Sequence, residues 1–174
     1  FGIDLKSDVV VVPRGQKVSS IAPKGEVLTW TSKYGFVGMN VFDEAFFVDG
    51  LNEKGLGIGA LYLPGETEYQ TVAPGDEARA LANADFVAWV LGNFENAEQV
   101  RDALQNVVGW GPNVPQLGSL APIHFAGHDK SGGSLVIEYV GGEVQVYDNE
   151  VGVLTNSPAY PWHLQNLRNY VNLT

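Results

Sequence analysis

The side-chain amide of Asn156 is the group in this sequence best placed to do chemistry. It lies in a Thr-Asn-Ser-Pro segment at residues 155–158, after a short apolar run and before a helix predicted from about Tyr160 to Tyr170. An amide at such a junction can point its N–H at a cleft, where preorganised donors stabilise an oxyanion. Asn is also a common helix cap, and on spacing alone capping of the following helix is the simpler interpretation.

His124 and His128 form the other spacing with a chemical meaning. They are four residues apart in a predicted strand, which places both on one face, as a pair of metal ligands requires. A core or surface histidine followed by a turn histidine beside Asp129 explains the same spacing. The sequence contains three histidines and no cysteine, so it holds no thiolate ligand, disulfide or thiol nucleophile. We therefore expect no metal and no other cofactor.

The elements that must position these groups occur as separate runs of strands and helices. Strands are predicted over residues 9–12, 27–32, 36–41, 123–128, 134–140, 143–147 and 151–154, with a hairpin over residues 46–64. Apolar residues at helical spacing predict helices over residues 77–94 and from Asn96, its N-cap. This order indicates the α+β class, and the length fits a single domain over residues 1–174.

The charge balance narrows the choice of partners. Ten Lys and Arg residues stand against 20 Asp and Glu residues, a formal net charge of −10. An acidic surface repels phosphate and anionic lipid, so we expect neither a nucleic acid nor a membrane as partner. No run of about 18 apolar residues exists that could span a membrane. The charge is an argument against these partners and does not identify another.

Five segments of the chain carry a family resemblance. They lie at residues 12–15, 30–35, 49–56, 146–149 and 151–158, in family order and with family-like spacing. Together they resemble the choloylglycine hydrolase family of N-terminal-nucleophile amidases, which contains penicillin V acylases and bile salt (conjugated bile acid) hydrolases. The resemblance implies an αββα four-layer sandwich of the N-terminal-nucleophile hydrolase type, incomplete in this chain.

The resemblance also assigns roles to two residues. Asn156 matches the family's oxyanion donor, and Tyr62 matches a second position on the oxyanion side. Bile salt hydrolases commonly carry Asn at that second position, whereas penicillin V acylases carry Tyr. With Tyr62 we expect the backbone N–H to be the donor and the ring to shape an acyl pocket for an aryl-acetyl or fatty-acyl amide.

The family's nucleophile has no counterpart among these residues. In the family it is a cysteine at the mature N-terminus, whose α-amine acts as the base and whose thiol forms an acyl-enzyme. In the family, that Cys and its supporting Arg and Asp precede the segment matching residues 9–14, and the position of a further Arg would lie beyond Thr174. Phe1 has neither hydroxyl nor thiol and cannot replace the nucleophile. We therefore expect a partial acylase domain with its nucleophile upstream.

The resemblance implies an amide hydrolase that releases the acyl group of a linear N-acyl amide, like a penicillin V acylase. Bile salt hydrolysis and the cleavage of N-acyl homoserine lactones are the alternatives within this chemistry. A non-catalytic domain that keeps the fold and lacks the nucleophile is the alternative of another class. The family further implies a homotetramer, and it leaves the choice between bacterial cytoplasm and periplasm open.

Overall fold

The computed structural model describes residues 4–170, in which the largest unit is a seven-stranded antiparallel sheet. The strands are β1 (Val9–Val12), β2 (Lys17–Ser19), β3 (Thr29–Thr31), β4 (Phe36–Val41), β5 (Phe46–Asn52), β6 (Leu56–Tyr62), β7 (Ala80–Ala82), β8 (Val108–Trp110), β9 (Asn113–Val114), β10 (Ser119–Leu120), β11 (Ile123–Asp129), β12 (Ser134–Val140) and β13 (Glu143–Asp148). The helices are α1 (Phe86–Asn93), α2 (Ala97–Ala103) and α3 (Tyr160–Leu167). The sheet has the order β1-β4-β5-β6-β11-β12-β13, and the other strands pair as β2–β3, β7–β8 and β9–β10.

The predicted hairpins of this sheet are confirmed, because short-range turn chemistry determines them. Gly55, with φ +85°, allows the turn between β5 and β6. Gly141 and Gly142 have φ values of +61° and +75°, which two-residue hairpin turns of type I′ require at both positions. In the order of the sheet, β6 and β12 lie on either side of β11.

Helix α1 packs against one face of the sheet, over β5 and β6. The ring of Phe86 stacks on that of Phe125 with centroids 4.1 Å apart, and both side chains are buried. Asn52, the last residue of β5, binds the C-terminal end of α1. Its Nδ2 donates to the carbonyl oxygens of Leu91 at 2.9 Å and Phe94 at 2.8 Å. The main core of the chain therefore lies between this helix and the sheet.

Asn96 caps α2 as predicted, since its Oδ1 accepts the Gln99 N–H at 2.9 Å. The prediction of one continuous helix over residues 77–94 is wrong. The segment contains a 3₁₀ turn (Glu77–Arg79), strand β7, a second 3₁₀ turn (Asn83–Asp85) and only then α1. Strand β7 pairs in parallel with β8, and the Ala82 N–H donates to Ser20 Oγ at 2.9 Å. These tertiary hydrogen bonds outweigh the local helical pattern.

Three other boundaries differ from the prediction. The strand expected over residues 27–32 shrinks to β3 and pairs with the unpredicted β2. Residues 151–154 form no strand: Gly152 has φ +69°, its N–H closes a turn onto Asn149, and Val153 is 66% exposed. The last helix ends at Leu167 and continues as a 3₁₀ turn over Arg168–Tyr170.

The sheet face opposite α1 exposes apolar side chains from the neighbouring strands β1, β4 and β5. They are Val9, Val11, Val37, Met39 and Leu51, which are 39–76% exposed. Apolar sheet faces are normally buried against another layer, and this is the face that the second sheet of an αββα sandwich would cover. Within residues 4–170, no helix is long and apolar enough to cross a membrane.

Candidate active site

The structure brings the two residues predicted for the oxyanion side, Tyr62 and Asn156, into direct contact. Tyr62 is the last residue of β6, and Asn156 lies in the irregular segment between β13 and α3. The backbone N–H of Tyr62 donates to Oδ1 of Asn156 at 3.0 Å. Asn156 is exposed and Tyr62 is half-buried, so the contact lies at the protein surface.

Two further hydrogen bonds hold the Asn156 segment against the end of β6. The Ser157 N–H donates to the carbonyl oxygen of Tyr62 at 3.1 Å, and Ser157 Oγ donates to the carbonyl oxygen of Pro64 at 3.2 Å. On the other side of the segment, Nε2 of His163 donates to the carbonyl oxygen of Asn156 at 3.0 Å. The backbone around Asn156 is therefore fixed from both directions.

The contact with Tyr62 also determines which way the Asn156 amide is turned. A backbone N–H can only donate, so the amide atom that faces it is the oxygen. The Nδ2 group then faces elsewhere, and it has no hydrogen-bond partner within residues 4–170. Asn156 thus offers two N–H donors at an exposed position, as a site that stabilises an oxyanion requires.

The alternative that Asn156 caps the last helix is wrong. The N-cap of α3 is Ala159, and no side chain of that cap residue accepts a helix N–H. The first N–H groups are bound by two carboxylates instead: Glu66 accepts from Ala159 at 3.1 and 3.2 Å, and Glu138 accepts from Tyr160 at 2.9 and 3.1 Å. The Asn156 side chain is therefore not needed at the helix end.

His124 and His128 have separate hydrogen-bond partners and do not form a pair of metal ligands. His124 is fully buried, and its Nδ1 lies 2.9 Å from Oε1 of Glu138. His128 is exposed, and its Nδ1 lies 2.9 Å from Ser134 Oγ. In the part of the chain that the structure describes, no three His, Cys, Asp or Glu side chains come together as a metal site.

Tyr160 joins the site segment to the end of β13. Its hydroxyl donates to Oδ1 of Asn149 at 3.1 Å, and its ring is buried. Burial raises the pKa of this hydroxyl, so it stays protonated as a donor at neutral pH. The start of α3 is consequently held by its backbone N–H at Glu138 and by its side chain at Asn149.

Sequence reasoning missed the two carboxylates that bind the start of α3, Glu66 and Glu138. Glu138 had a visible signal, because it is the single charged residue in the apolar sequence of β12. A buried charge in a central strand must be paired, so its position points to a specific partner. Glu66 lies in a loop with other polar residues and had no such signal.

The sheet, the helix packed on it and the Tyr62–Asn156 contact together define an α+β fold of the N-terminal-nucleophile type. A family model described as "Linear amide C-N hydrolases, choloylglycine hydrolase family" matches residues 1–174. The chain therefore belongs to the choloylglycine hydrolase family, and the resemblance predicted from its sequence segments is confirmed.

Individual relatives agree with this assignment. The chain is 35% identical over 174 residues to the bile salt hydrolase/transferase of Clostridium perfringens, covering 95% of this chain and 50% of that protein. A crystal structure of a variant conjugated bile acid hydrolase from the same species matches with a TM-score of 0.84 and 33% identity, over 99% of this chain and 52% of that one.

A penicillin V acylase is similarly close in structure. The enzyme from Agrobacterium tumefaciens matches with a TM-score of 0.86 and 28% identity, over 98% of this chain and 50% of that chain. These structural matches confirm the predicted fold class. The chain spans about half the length of the relatives it matches.

Proposed function

We propose that this chain forms the oxyanion side of a linear amide hydrolase that resembles penicillin V acylase. The observation that supports the proposal is the 3.0 Å hydrogen bond from the Tyr62 N–H to Asn156 Oδ1, which brings two distant family positions together. Membership of a linear amide hydrolase family supplies the reaction class. The cysteine nucleophile that the proposed reaction needs is not among these 174 residues.

In the proposed reaction, a cysteine thiol outside this chain attacks the carbonyl carbon of the substrate amide. The negative charge that develops on the carbonyl oxygen accepts hydrogen bonds from Nδ2 of Asn156. The C–N bond then breaks, the amine leaves with a proton, and a thioester remains. Water hydrolyses the thioester, releasing the carboxylic acid and the free thiol. In this proposal the Tyr62 N–H, expected from the sequence to donate to the oxyanion, instead holds Oδ1 and orients the Asn156 amide for the donation.

We propose an amide with an aromatic acyl group, such as the phenoxyacetyl group of penicillin V, as the preferred substrate. Tyr62 supports this choice, because its half-buried ring packs against the main core at the end of β6 and next to Asn156. A flat aromatic wall of this kind suits a flat acyl group. Bile salts remain the second candidate, since several similar proteins are bile salt or conjugated bile acid hydrolases.

The test compares three amides with one preparation of the full-length gene product, meaning this chain with any residues that its gene encodes around it. Penicillin V, glycocholate and an N-acyl homoserine lactone are assayed at equal concentrations, and kcat/KM is measured for each. We expect kcat/KM for penicillin V to exceed that for the others by about tenfold or more, as a pocket of matched shape provides.

Each other outcome selects a different function. A larger kcat/KM for glycocholate or for the lactone replaces the penicillin V proposal with that activity. Absence of turnover with all three amides, in a folded preparation, favours the non-catalytic domain. Treatment with iodoacetamide before the assay distinguishes the mechanism, because a thiol nucleophile is alkylated and loses activity.

A further inference from the structure

A buried pair of side chains, His124 and Glu138, lies on β11 and β12, the two strands that follow β6 in the order of the sheet. Both are 0% exposed, and Nδ1 of His124 lies 2.9 Å from Oε1 of Glu138. Since a carboxylate only accepts, the histidine is the donor. The same carboxylate accepts the backbone N–H of Tyr160 through both oxygens, at 2.9 and 3.1 Å.

This pair connects the two elements that supply the site. His124 lies in β11, where the neighbouring Ile123 is paired with Tyr62 of β6. Glu138 lies in β12 and binds Tyr160, four residues after Asn156. The path from one oxyanion residue to the other thus runs through the strand pair β6–β11, the His124–Glu138 bond and the start of α3.

The burial of this pair is poorly explained by stability alone. Removing a carboxylate from water costs several kcal/mol, and apolar side chains often replace buried pairs with little or no loss of stability. Nε2 of His124 adds to the cost, because it is buried without a hydrogen-bond partner within residues 4–170. Such a pair is better explained by the geometry that it enforces.

We propose that Glu138 and His124 are positioning residues that hold the Asn156 segment against Tyr62. Glu138 fixes the Tyr160 N–H, and His124 fixes the Glu138 carboxylate. The proposal rests on the proposed function for its effect on catalysis. Its structural part, the register of the Asn156 segment on β6, stands independently and is measured separately.

The catalytic test uses Glu138→Gln in the full-length protein, with Glu143→Gln as the matched control. Gln has the same size and loses one acceptor oxygen, whereas Glu143 is exposed in the adjacent strand β13. For Glu138→Gln we expect kcat to fall about tenfold or more with KM within about threefold of the parent, because small displacements of catalytic groups reduce rates strongly. The control keeps both parameters.

A second pair of variants separates positioning from loss of folding. Asn places a side-chain N–H near the position of the histidine Nδ1, so His124→Asn retains the donor to Glu138. Leu fills the space without a donor. We expect His124→Asn to keep most of the parent kcat and His124→Leu to lose about as much as Glu138→Gln. Equal losses in the two His124 variants would overturn the proposal.

Hydrogen–deuterium exchange measures the positioning without any substrate. In Glu138→Gln, peptides spanning residues 59–64 and 154–160 should exchange about tenfold faster, while a peptide within β4 keeps its rate. Unchanged exchange at both site peptides, or a uniform increase over the whole protein, contradicts the proposal. If the parent hydrolyses no amide but the local increase is observed, the proposed function fails and the positioning role remains.

Discussion

The Tyr62 N–H and the Asn156 Oδ1 are 3.0 Å apart although 94 residues separate them in sequence. The strand order explains this, because β6 lies in the middle of the sheet and the Asn156 segment returns to its end after β13. The bond has a chemical consequence: it uses the oxygen of the Asn156 amide and leaves the nitrogen for a ligand. The function of Asn156 can therefore be tested by changing the nitrogen alone.

Asn156→Asp makes that change. A carboxylate still accepts the Tyr62 N–H, so the segment keeps its anchor, but the donor is replaced by a negative charge beside the developing oxyanion. We expect kcat for amide hydrolysis by the full-length protein to fall about 10²–10³-fold, the usual effect of losing one oxyanion donor. Initial rates at saturating substrate measure it.

Asn156→Ala serves as the comparison, because it removes both the donor and the acceptor that binds Tyr62. If Asn156 acts only by anchoring its segment, the Asp variant stays close to the parent and the Ala variant alone loses activity. If it donates to the oxyanion, both variants lose activity, and the Asp variant keeps the exchange rate of the Tyr62 amide.

Tyr62→Asn tests the proposed substrate preference. The backbone N–H that binds Asn156 is retained, while the aromatic ring is replaced by the residue that bile salt hydrolases commonly carry at this position. We expect KM for penicillin V to rise about tenfold and kcat/KM for glycocholate to increase, because a change in the shape of a pocket alters discrimination between substrates by about 1–3 kcal/mol. A parallel loss of kcat/KM for both amides would show that the ring does not determine selectivity.

Local chemistry was sufficient to predict the hairpins and the helix cap at Asn96. The Gly141-Gly142 turn and the Asn96–Gln99 capping bond involve residues within a few positions of each other. The β7 strand was not predictable in the same way, since its partner β8 lies far along the chain and its local pattern is helical. Long-range pairing with β8 determined that residues 80–82 form a strand and not a helix.

The site was predictable as a pair of residues but not as a geometry. The segment at residues 155–158 and the position of Tyr62 were identified from family segments, which carry no distances. The orientation of the Asn156 amide depends on a backbone N–H at the end of β6. Glu138 and His124 could not be paired from the sequence, because the spacing relates His124 only to His128 on its own strand and gives no register with β12.

Phe125→Ala tests how much the α1–sheet core stabilises the protein. The ring is 0% exposed and stacks on Phe86 with centroids 4.1 Å apart, so truncation leaves a cavity between β11 and the helix. We expect the free energy of unfolding, measured by urea denaturation, to decrease by about 3–5 kcal/mol. Phe125→Leu fills part of the cavity and should lose less; equal losses would indicate that the ring stacking, not the volume, is responsible.

Asp129 provides a pH-dependent test at the turn between β11 and β12. Partial burial, the largest single influence, raises the pKa of its carboxyl. Hydrogen bonds from the Ala97 N–H and from Ser131 and Gly133 outweigh burial and lower the pKa from 3.8 to about 2. A lowered pKa in the folded state stabilises the protein above the unfolded value, and that stabilisation disappears as the pH falls through the folded value.

Asp129→Asn should therefore reduce the free energy of unfolding by about 1–2 kcal/mol at pH 7, with allowance for the solvent screening of this partly exposed group. The difference from the parent should stay constant down to about pH 5 and shrink between about pH 4 and pH 2, where the parent carboxylate takes up its proton. Asp102→Asn, an exposed change on α2, is the control. Urea denaturation at a series of pH values measures both variants, and a difference that persists unchanged to pH 2 would show that the charge of Asp129 does not stabilise this turn.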